Sequence, residues 1–182
     1  MERRQLNSGN FTFRMARYKD AVMLASCARD LVETGLPWTW TPPRIIRQIS
    51  DPNTTALIAE YSGQFAGFAI MSFASDKAHL NLLAVTSPFQ GMGLGRRIMN
   101  WLEKSARVAG IEKVLLEVRA GNNAARAFYR RLGFREVAYK FGYYQGVETA
   151  VRMCRQLAPE VDKKFLNRQI NAFLENLTKQ SH

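Results

Sequence analysis

The chain has 182 residues, of which 47% are hydrophobic and 23% charged, and it carries a formal net charge of +11. This length and composition are typical of one globular domain with a sizeable core. An uninterrupted apolar run of about eighteen residues is absent and the N-terminus lacks an apolar signal core, so neither a membrane span nor a secretory leader is expected.

The positive charge favours anionic partners, such as nucleic acid, the ribosome or a phosphorylated cofactor. However, the basic residues are scattered, which is equally typical of a solvated basic surface. Cys27 and Cys154 fit no metal-ligand spacing and are predicted to be free, buried thiols. Together these features predict a cytoplasmic protein.

The first predicted helix follows Asp20, a suitable N-cap, and ends near Gly35. Its apolar residues recur at helical spacing. They are Ala21, Leu24, Ala25, Ala28, Leu31 and Val32.

The next segment, Leu36–Pro42, is too rich in proline for a helix or a central strand. We predict that its tryptophans, Trp38 and Trp40, either line a pocket or plug the edge of the core. Thr41 can cap a short second helix whose first turn contains Pro43. The apolar side of this helix is Ile45, Ile46 and Ile49, and Asp51–Asn53 stops it.

A meander of three strands comes next, with Thr55–Tyr61 and Phe65–Phe73 joined in a hairpin and followed by His79–Val85. His79 is predicted to be a surface or hydrogen-bonded residue. The chain then alternates between helix and strand. The predicted elements are the helix from the glycine loop to Ala109, strand Lys113–Val118, helix Asn122–Leu132, and the antiparallel pair Arg135–Phe141 and Glu148–Gln156.

This order predicts an α/β domain in which a mixed sheet has helices on its faces. A last amphipathic helix is predicted from Pro159 onward. We therefore expect one domain over residues 1–157 and a C-terminal helical extension over residues 158–182. The extension packs either on its own domain or at a homodimer contact.

Glycines at positions 91, 93 and 95 lie between a strand and a helix. The free N–H groups and the dipole of a helix N-terminus favour an anion, and glycine lets the backbone approach phosphate oxygens. Arg96 and Arg97 add positive charge in the first turn. The loop therefore predicts an anion site, with a tight turn without a ligand as the alternative. A P-loop would need Lys followed by Ser or Thr, and a dinucleotide fingerprint needs a different glycine spacing.

Strand Lys113–Val118 is an apolar run with one carboxylate, Glu117, set into it. A run without alternation predicts burial on both faces. A carboxylate at such a position is costly to ionise unless its charge is stabilised. Partial burial is expected to raise the pKa of Glu117 towards neutral pH. The alternative is a structural carboxylate paired with a nearby arginine such as Arg119.

Two motifs carry a resemblance to a known family. The pattern Gln90-x-x-Gly93-x-Gly95 resembles the pyrophosphate loop of the GNAT superfamily of acyl-CoA-dependent N-acetyltransferases. The run Asn122-x-x-Ala125-x-x-x-Tyr129-x-x-x-Gly133-Phe134 resembles its second signature. The chain resembles in particular the RimI-like ribosomal-protein-alanine acetyltransferases, through Pro37-Trp38, Tyr143-Tyr144 and the run Leu116–Ala120.

The resemblance implies a GNAT fold with a splayed pair of strands in its mixed central sheet. It also implies that Glu117 acts as general base, directly or through water, and that Tyr129 protonates the leaving thiolate. A core tyrosine and an N-cap asparagine remain alternative readings for Tyr129 and Asn122. The residues implied to bind acetyl-CoA are Leu83, Val85, Gln90, Gly91, Met92, Gly93, Leu94, Gly95, Arg96 and Asn122.

Acetyl transfer from acetyl-CoA to a primary amine, in a ternary complex and without a metal, is the activity implied. Trp38, Trp40, Tyr143 and Tyr144 are candidate walls for the acceptor, with a protein N-terminus preferred. A small-molecule amine is the alternative acceptor. A non-catalytic acyl-CoA-binding regulatory module and a basic RNA- or ribosome-binding protein are the alternatives of other classes.

Overall fold

The structure is a computed structural model and describes residues 10–157. The predicted C-terminal helix and the domain boundary near residue 158 lie outside the described residues. Seven strands form one sheet in the order β1-β2-β3-β4-β5-β7-β6. The strands are β1 (Phe11–Met15), β2 (Thr54–Tyr61), β3 (Gln64–Phe73), β4 (Lys77–Val85), β5 (Lys113–Arg119), β6 (Arg135–Tyr144) and β7 (Glu148–Gln156).

Helices cover both faces of this sheet. They are α1 (Ala21–Leu31), α2 (Pro42–Ser50), α3 (Leu94–Val108) and α4 (Asn123–Arg131). Helices α1 and α2 share one apolar core with β2, β3 and β4, whereas α3 and α4 close a larger core on the opposite face. The predicted mixed α/β sheet is therefore confirmed. None of the helices between residues 10 and 157 has the length and hydrophobicity that a membrane span requires.

Most predicted elements are found within one or two residues of their expected bounds. The hairpin between β2 and β3 turns at Ser62 and Gly63, which both have positive φ, as a two-residue hairpin of this hand requires. The edge strand β1 was not predicted. It pairs antiparallel with β2, so that Phe11 lies opposite Tyr61 and contributes its ring to an aromatic cluster with that residue.

The predictions for helices α1 and α3 need correction. Helix α1 ends at Leu31, four positions before Gly35, and the Asp20 carboxylate accepts hydrogen bonds from Arg14 and from the Arg17 N–H instead of capping α1. In α3, the sequence predicts an apolar face that includes Trp101 and Ala109, but Trp101 is exposed and Ala109 lies beyond the last helical residue. The buried face of α3 is Leu94, Ile98, Met99, Leu102, Glu103 and Ala106.

Strand β5 alternates in burial, which contradicts the expectation of two fully buried faces. Val114, Leu116 and Val118 are buried against α3 and α4, whereas Leu115 is only half-buried on the other face. Glu117 shares the face of Leu115. The apolar run in the sequence therefore hides a two-faced strand whose second face carries the carboxylate.

Strands β4 and β5 diverge along their length. Lys77–Leu80 of β4 pair in parallel with Lys113–Leu116 of β5. Beyond this point β4 continues to Val85 and β5 to Arg119, and the two strands no longer pair with each other. Each strand has its other neighbour, β3 or β7, along its whole length. The result is a wedge-shaped gap in the middle of the sheet, which confirms the expected splayed pair.

Candidate active site

A cavity of about 390 Å³ occupies the gap between β4 and β5. Its walls come from the divergent ends of these strands, from α1 and the loop before α2, from α4 and from the end of β6. Of the predicted site residues, the cavity is lined by Trp40, Leu83, Glu117, Asn122, Tyr129, Tyr143 and Tyr144. Residues that are distant in sequence, from helix, strand and loop, therefore meet in one concave site, as is usual for small-molecule sites.

Glu117 lies at the centre of a cluster of cations. Its side chain is 3% exposed. Lys140 Nζ and Arg152 Nε donate to Glu117 Oε1 at 2.8 and 2.7 Å, and His79 Nε2 donates to Oε2. The expected partner, Arg119, instead forms a bidentate pair with Glu148, with Nε to Oε2 at 2.6 Å.

These contacts reverse the expected shift of the Glu117 pKa. Burial by itself raises the pKa of this carboxyl, but the hydrogen bonds from His79, Lys140 and Arg152 outweigh burial and hold the pKa well below its usual value. The expectation of a raised pKa is therefore wrong. Glu117 is a carboxylate throughout the neutral range, because its negative charge is compensated on both oxygens.

His79 is the hydrogen-bonded residue of the two alternatives predicted for it. Its Nδ1 lies 2.9 Å from Asn81 Oδ1, and Asn81 Nδ2 donates to Ser72 Oγ at 2.6 Å. Since each ring nitrogen has an oxygen partner, Asn81 Oδ1 or Glu117 Oε2, these contacts favour the protonated imidazolium form. The hydrogen bond to Glu117 raises the pKa of His79 above its ordinary value although burial opposes this.

Tyr129 is presented by the first helical turns after β5. Asn122 Oδ1 accepts from Ala125 N at 3.0 Å, so this asparagine caps α4 and also lines the cavity. The Tyr129 ring packs edge-on against Phe128 and Phe134. Burial raises the pKa of its phenol above the ordinary value, so the hydroxyl is protonated at neutral pH.

The two predicted tryptophans have different positions. Trp40 is buried in the core of α1 and α2 and also lines the cavity. Trp38 is exposed, and its Nε1 donates to Trp40 O at 3.1 Å. The structure therefore does not bring Trp38 to the cavity wall. Tyr143 and Tyr144 stand at the end of β6, with their rings packed edge-on.

The glycine loop follows β4 and leads into α3, outside the cavity wall. Gly91 and Gly93 both have φ of +77°, and Gly93 is the N-cap of α3. The first helical hydrogen bond runs from Arg97 N to Gly93 O (3.2 Å). The N–H groups of the first helical residues therefore have no partner inside the helix.

The side chains of this loop are differently placed. Leu94 is fully buried and Met92 packs against the core, so these two residues can offer only backbone groups to a ligand. Gly95 lies against Phe128 of α4, where a Cβ would come within 3.1 Å of the ring. Arg96 is exposed. Gln90 Nε2 donates to Val85 O at 2.8 Å, which ties the loop to the open end of β4.

The backbone of Val85 faces the gap. Thr86 N donates to Ala66 O of β3 at 3.0 Å, and in an antiparallel ladder neighbouring residues point their N–H groups to opposite sides. Val85 N–H is thereby directed away from β3.

Sequence reasoning missed His79, Lys140, Arg152 and Arg44 as site residues, and the isolated histidine at a strand start is the one local signal that could have pointed to them.

Neither of the two cysteines lines the cavity. Cys27 and Cys154 are free and half-buried rather than fully buried, and burial raises the pKa of Cys27 to about 11. Among residues 10–157 no cluster of three or more metal-ligating side chains occurs.

A splayed sheet, a capped helix beside the gap and a glycine loop before a helix are the features that the sequence resemblance implies for an acyl-CoA-dependent acetyltransferase. A comparison with known protein families gives the same class. Residues 25–134 match the acetyltransferase (GNAT) family. The chain belongs to this family, which confirms the resemblance in the sequence.

Several individual proteins of known name or structure are similar to this chain. The [ribosomal protein bS18]-alanine N-acetyltransferase of Salmonella typhimurium is 41% identical over 93 residues, or 50% of this chain and 63% of that protein. The alignment thus spans a little under two thirds of the relative. The Escherichia coli ribosomal-protein-S18-alanine N-acetyltransferase structure has a TM-score of 0.71 and 27% identity, covering 84% of this chain and 98% of that one. Ard1 from Thermoplasma volcanium has a TM-score of 0.72 and 26% identity, over 81% and 98%.

Proposed function

We propose that the protein is an acyl-CoA-dependent N-acetyltransferase that moves an acetyl group from acetyl-CoA to a primary amine, by direct attack in a ternary complex. The preferred acceptor is a protein N-terminal amine, as the names of the bS18-alanine relatives suggest. The observation that carries the proposal is a cavity between diverging strands that has an ionised carboxylate, Glu117, and a protonated phenol, Tyr129, on its wall.

The loop Gln90–Arg96 would hold the pyrophosphate of acetyl-CoA, and Leu83–Val85 would hold its pantetheine arm. The support is the set of helical N–H groups after Gly93 without a partner inside the helix and the open edge of β4. Val85 N–H, which is directed into the gap, would polarise the thioester carbonyl. Asn122 holds the start of α4 against the same gap.

The acceptor amine must lose a proton before it attacks, because an alkyl ammonium with a pKa of about 10 is unreactive. Glu117 alone is a weak proton acceptor, since its pKa is depressed. The proton-accepting unit is therefore the Glu117–His79 pair, which titrates as one coupled system. The pair accepts a proton when the imidazole is neutral, that is, above the raised pKa of His79. Tyr129 then gives its proton to the departing thiolate.

The test is a titration with acetyl-CoA followed by a thiol-release assay with peptides and small amines as acceptors. Binding of acetyl-CoA together with thiol release that depends on an acceptor supports the proposal. Binding without release by any acceptor would instead favour a regulatory acyl-CoA-binding module. Absence of both binding and release would contradict the enzymatic account altogether.

We expect Gly93→Ala to weaken acetyl-CoA binding by about tenfold or more, because a side chain at positive φ deforms the loop that places the helical N–H groups. Gly110→Ala is the matched control. Gly110 has φ of +74° and open space around its Cβ position, like Gly93, but it lies at the opposite end of α3. The two variants should lose similar thermal stability, and calorimetric titration should separate them. Equal affinities would remove the loop from the cofactor site.

We expect His79→Gln to change the pH dependence of kcat. In the wild type, kcat at saturating substrates should rise with pH through an apparent pKa above the ordinary histidine value of about 6.5, since the neutral imidazole appears only above its raised pKa. The variant should lose this limb and turn over more slowly above it. Ser72→Ala removes a hydrogen-bond partner of Asn81 and of Thr54 but leaves the contact between His79 and Glu117, so it should keep the limb in place. An unchanged limb in His79→Gln would exclude the pair as the proton acceptor.

A further inference from the structure

Arg44 of α2 is a cation on the cavity wall that has no carboxylate partner among residues 10–157. Its guanidinium carbon lies 4.0 Å from the centroid of the Trp40 ring. The other arginines of the site are neutralised, Arg119 by Glu148 and Arg152 by Glu117. Within residues 10–157, no Asp or Glu forms an ion pair with Arg44. A guanidinium stacked on an indole keeps its N–H edge free for a ligand.

The platform under Arg44 is rigid. Glu33 is a buried carboxylate that accepts from Thr39 N and Trp40 N at 3.0 and 3.1 Å and from the Thr39 hydroxyl. These bonds hold the backbone of the loop at Trp40 and use both oxygens of Glu33 within the loop. Glu33, an acidic side chain of the same wall, is therefore occupied by donors of this loop and forms no ion pair with Arg44 within residues 10–157.

Arg44 lines the same cavity as Glu117 and Tyr129. The charges of Arg44 and of the Glu117 carboxylate both act on the Tyr143 hydroxyl. Burial and the Glu117 carboxylate raise the pKa of Tyr143, while Arg152 and Arg44 oppose the rise. Lys140 Nζ lies 4.9 Å from the Tyr143 ring and 2.8 Å from Glu117 Oε1. Arg44, Tyr143 and Glu117 therefore line one cavity, in which Tyr143 is subject to both charges.

The charge around the acceptor is positive in excess. His79, Lys140 and Arg152 surround Glu117, and Arg44 lines the cavity, so these four basic side chains outnumber the two carboxylates of the wall, Glu117 and Glu33. Such a site attracts an acceptor that carries negative charge and repels one that carries additional positive charge. A planar guanidinium also matches the two oxygens of a carboxylate.

We propose that Arg44 binds a carboxylate that the acceptor carries close to its reacting amine, so that the enzyme selects acidic acceptors. The inference rests on the proposed function and names its substrate class. The carboxylate has two possible sources, the α-carboxylate of a free amino acid and an acidic side chain near the N-terminus of a peptide.

The test compares matched acceptors in the thiol-release assay. One arm uses C-terminally amidated peptides with Asp or Asn at the second position, and the other uses a free amino acid and its amide. If the natural carboxylate is an acidic side chain, the Asp peptide should have a kcat/KM about tenfold or more above that of the Asn peptide. If it is an α-carboxylate, the free amino acid should have the same advantage over its amide. Arg44→Gln should remove this preference by raising KM for the carboxylate form about tenfold, with little change for the amide. Arg44→Lys should restore it only in part, because Lys lacks the planar fork.

Arg47→Gln is the control, since Arg47 is an exposed residue on the same helix. It should behave as the wild type in both arms. Turnover without preference for the carboxylate in either arm would overturn the proposal, as would an equal loss for both forms in Arg44→Gln. Acetyl-CoA binding without turnover of any acceptor would refute the proposed function itself, and the inference with it.

Discussion

Glu117→Gln is expected to lower kcat by about 10²–10³-fold while the affinity for acetyl-CoA stays unchanged. Glutamine keeps the size of the side chain and one acceptor oxygen, but it cannot accept the proton or balance the charge of His79, Lys140 and Arg152. Because the hydrogen bond to Glu117 is the main cause of the raised pKa of His79, the rise of kcat with pH should move to lower pH in the variant. The loss relative to the wild type should therefore be larger at pH 9 than at pH 6.

The control for this variant is Glu136→Gln. Glu136 accepts from Arg126 at 3.0 Å and lies outside the cavity wall, so it tests the loss of a carboxylate–arginine pair as such. Steady-state kinetics give kcat, calorimetric titration gives the affinity for the coenzyme, and thermal unfolding shows that both variants fold. Full activity in Glu117→Gln would remove this residue from the mechanism.

Tyr129→Phe is expected to lower kcat by about 10²-fold or more, because the thiolate then leaves without a proton donor. The phenylalanine ring can keep the packing against Phe128 and Phe134, so stability should change little. In the wild type, burial keeps the phenol protonated beyond its ordinary pKa of about 10, and Tyr129 should therefore add no alkaline limb to the profile below that pH.

A second readout separates a proton donor from a packing residue. An acyl donor whose thiol has a low pKa leaves readily as thiolate, so Tyr129→Phe should lose much less activity with such a donor than with acetyl-CoA. Tyr139→Phe, an exposed tyrosine of β6, should be unaffected with both donors. A loss of equal size with the two donors would assign Tyr129 to packing alone.

The parts of the fold that follow from local patterns were predictable. Strand β7 and most bounds of β2, β3 and β5 follow from apolar runs separated by turn residues, and α2 follows from Thr41 and the prolines after it. Strand β1 has five residues at the sheet edge, too few for a pattern to stand out. The end of α1 was placed too late because the loop after it is fixed by Glu33, whose hydrogen bonds reach six and seven residues ahead.

The electrostatics of the site could not be predicted, because they are non-local. The cations at Glu117 come from β4, β6 and β7 and are between 23 and 38 residues away in sequence. Burial of Glu117 was foreseeable, but the sign of its pKa shift depends on whether burial or these donors dominate. Arg119, the near neighbour in sequence, points to Glu148 and to Thr34 O of the loop after α1 instead.

The short seam between β4 and β5 has a consequence for the whole domain. Four residue pairs, Lys77–Leu80 with Lys113–Leu116, join the two halves of the sheet, and the backbone beyond them is left open. A coenzyme lying in that opening would bridge the halves, so its binding energy would add directly to the resistance of the domain to unfolding. The unliganded protein should then separate first along this line, with β1–β4 and β5–β7 as its two cooperative units.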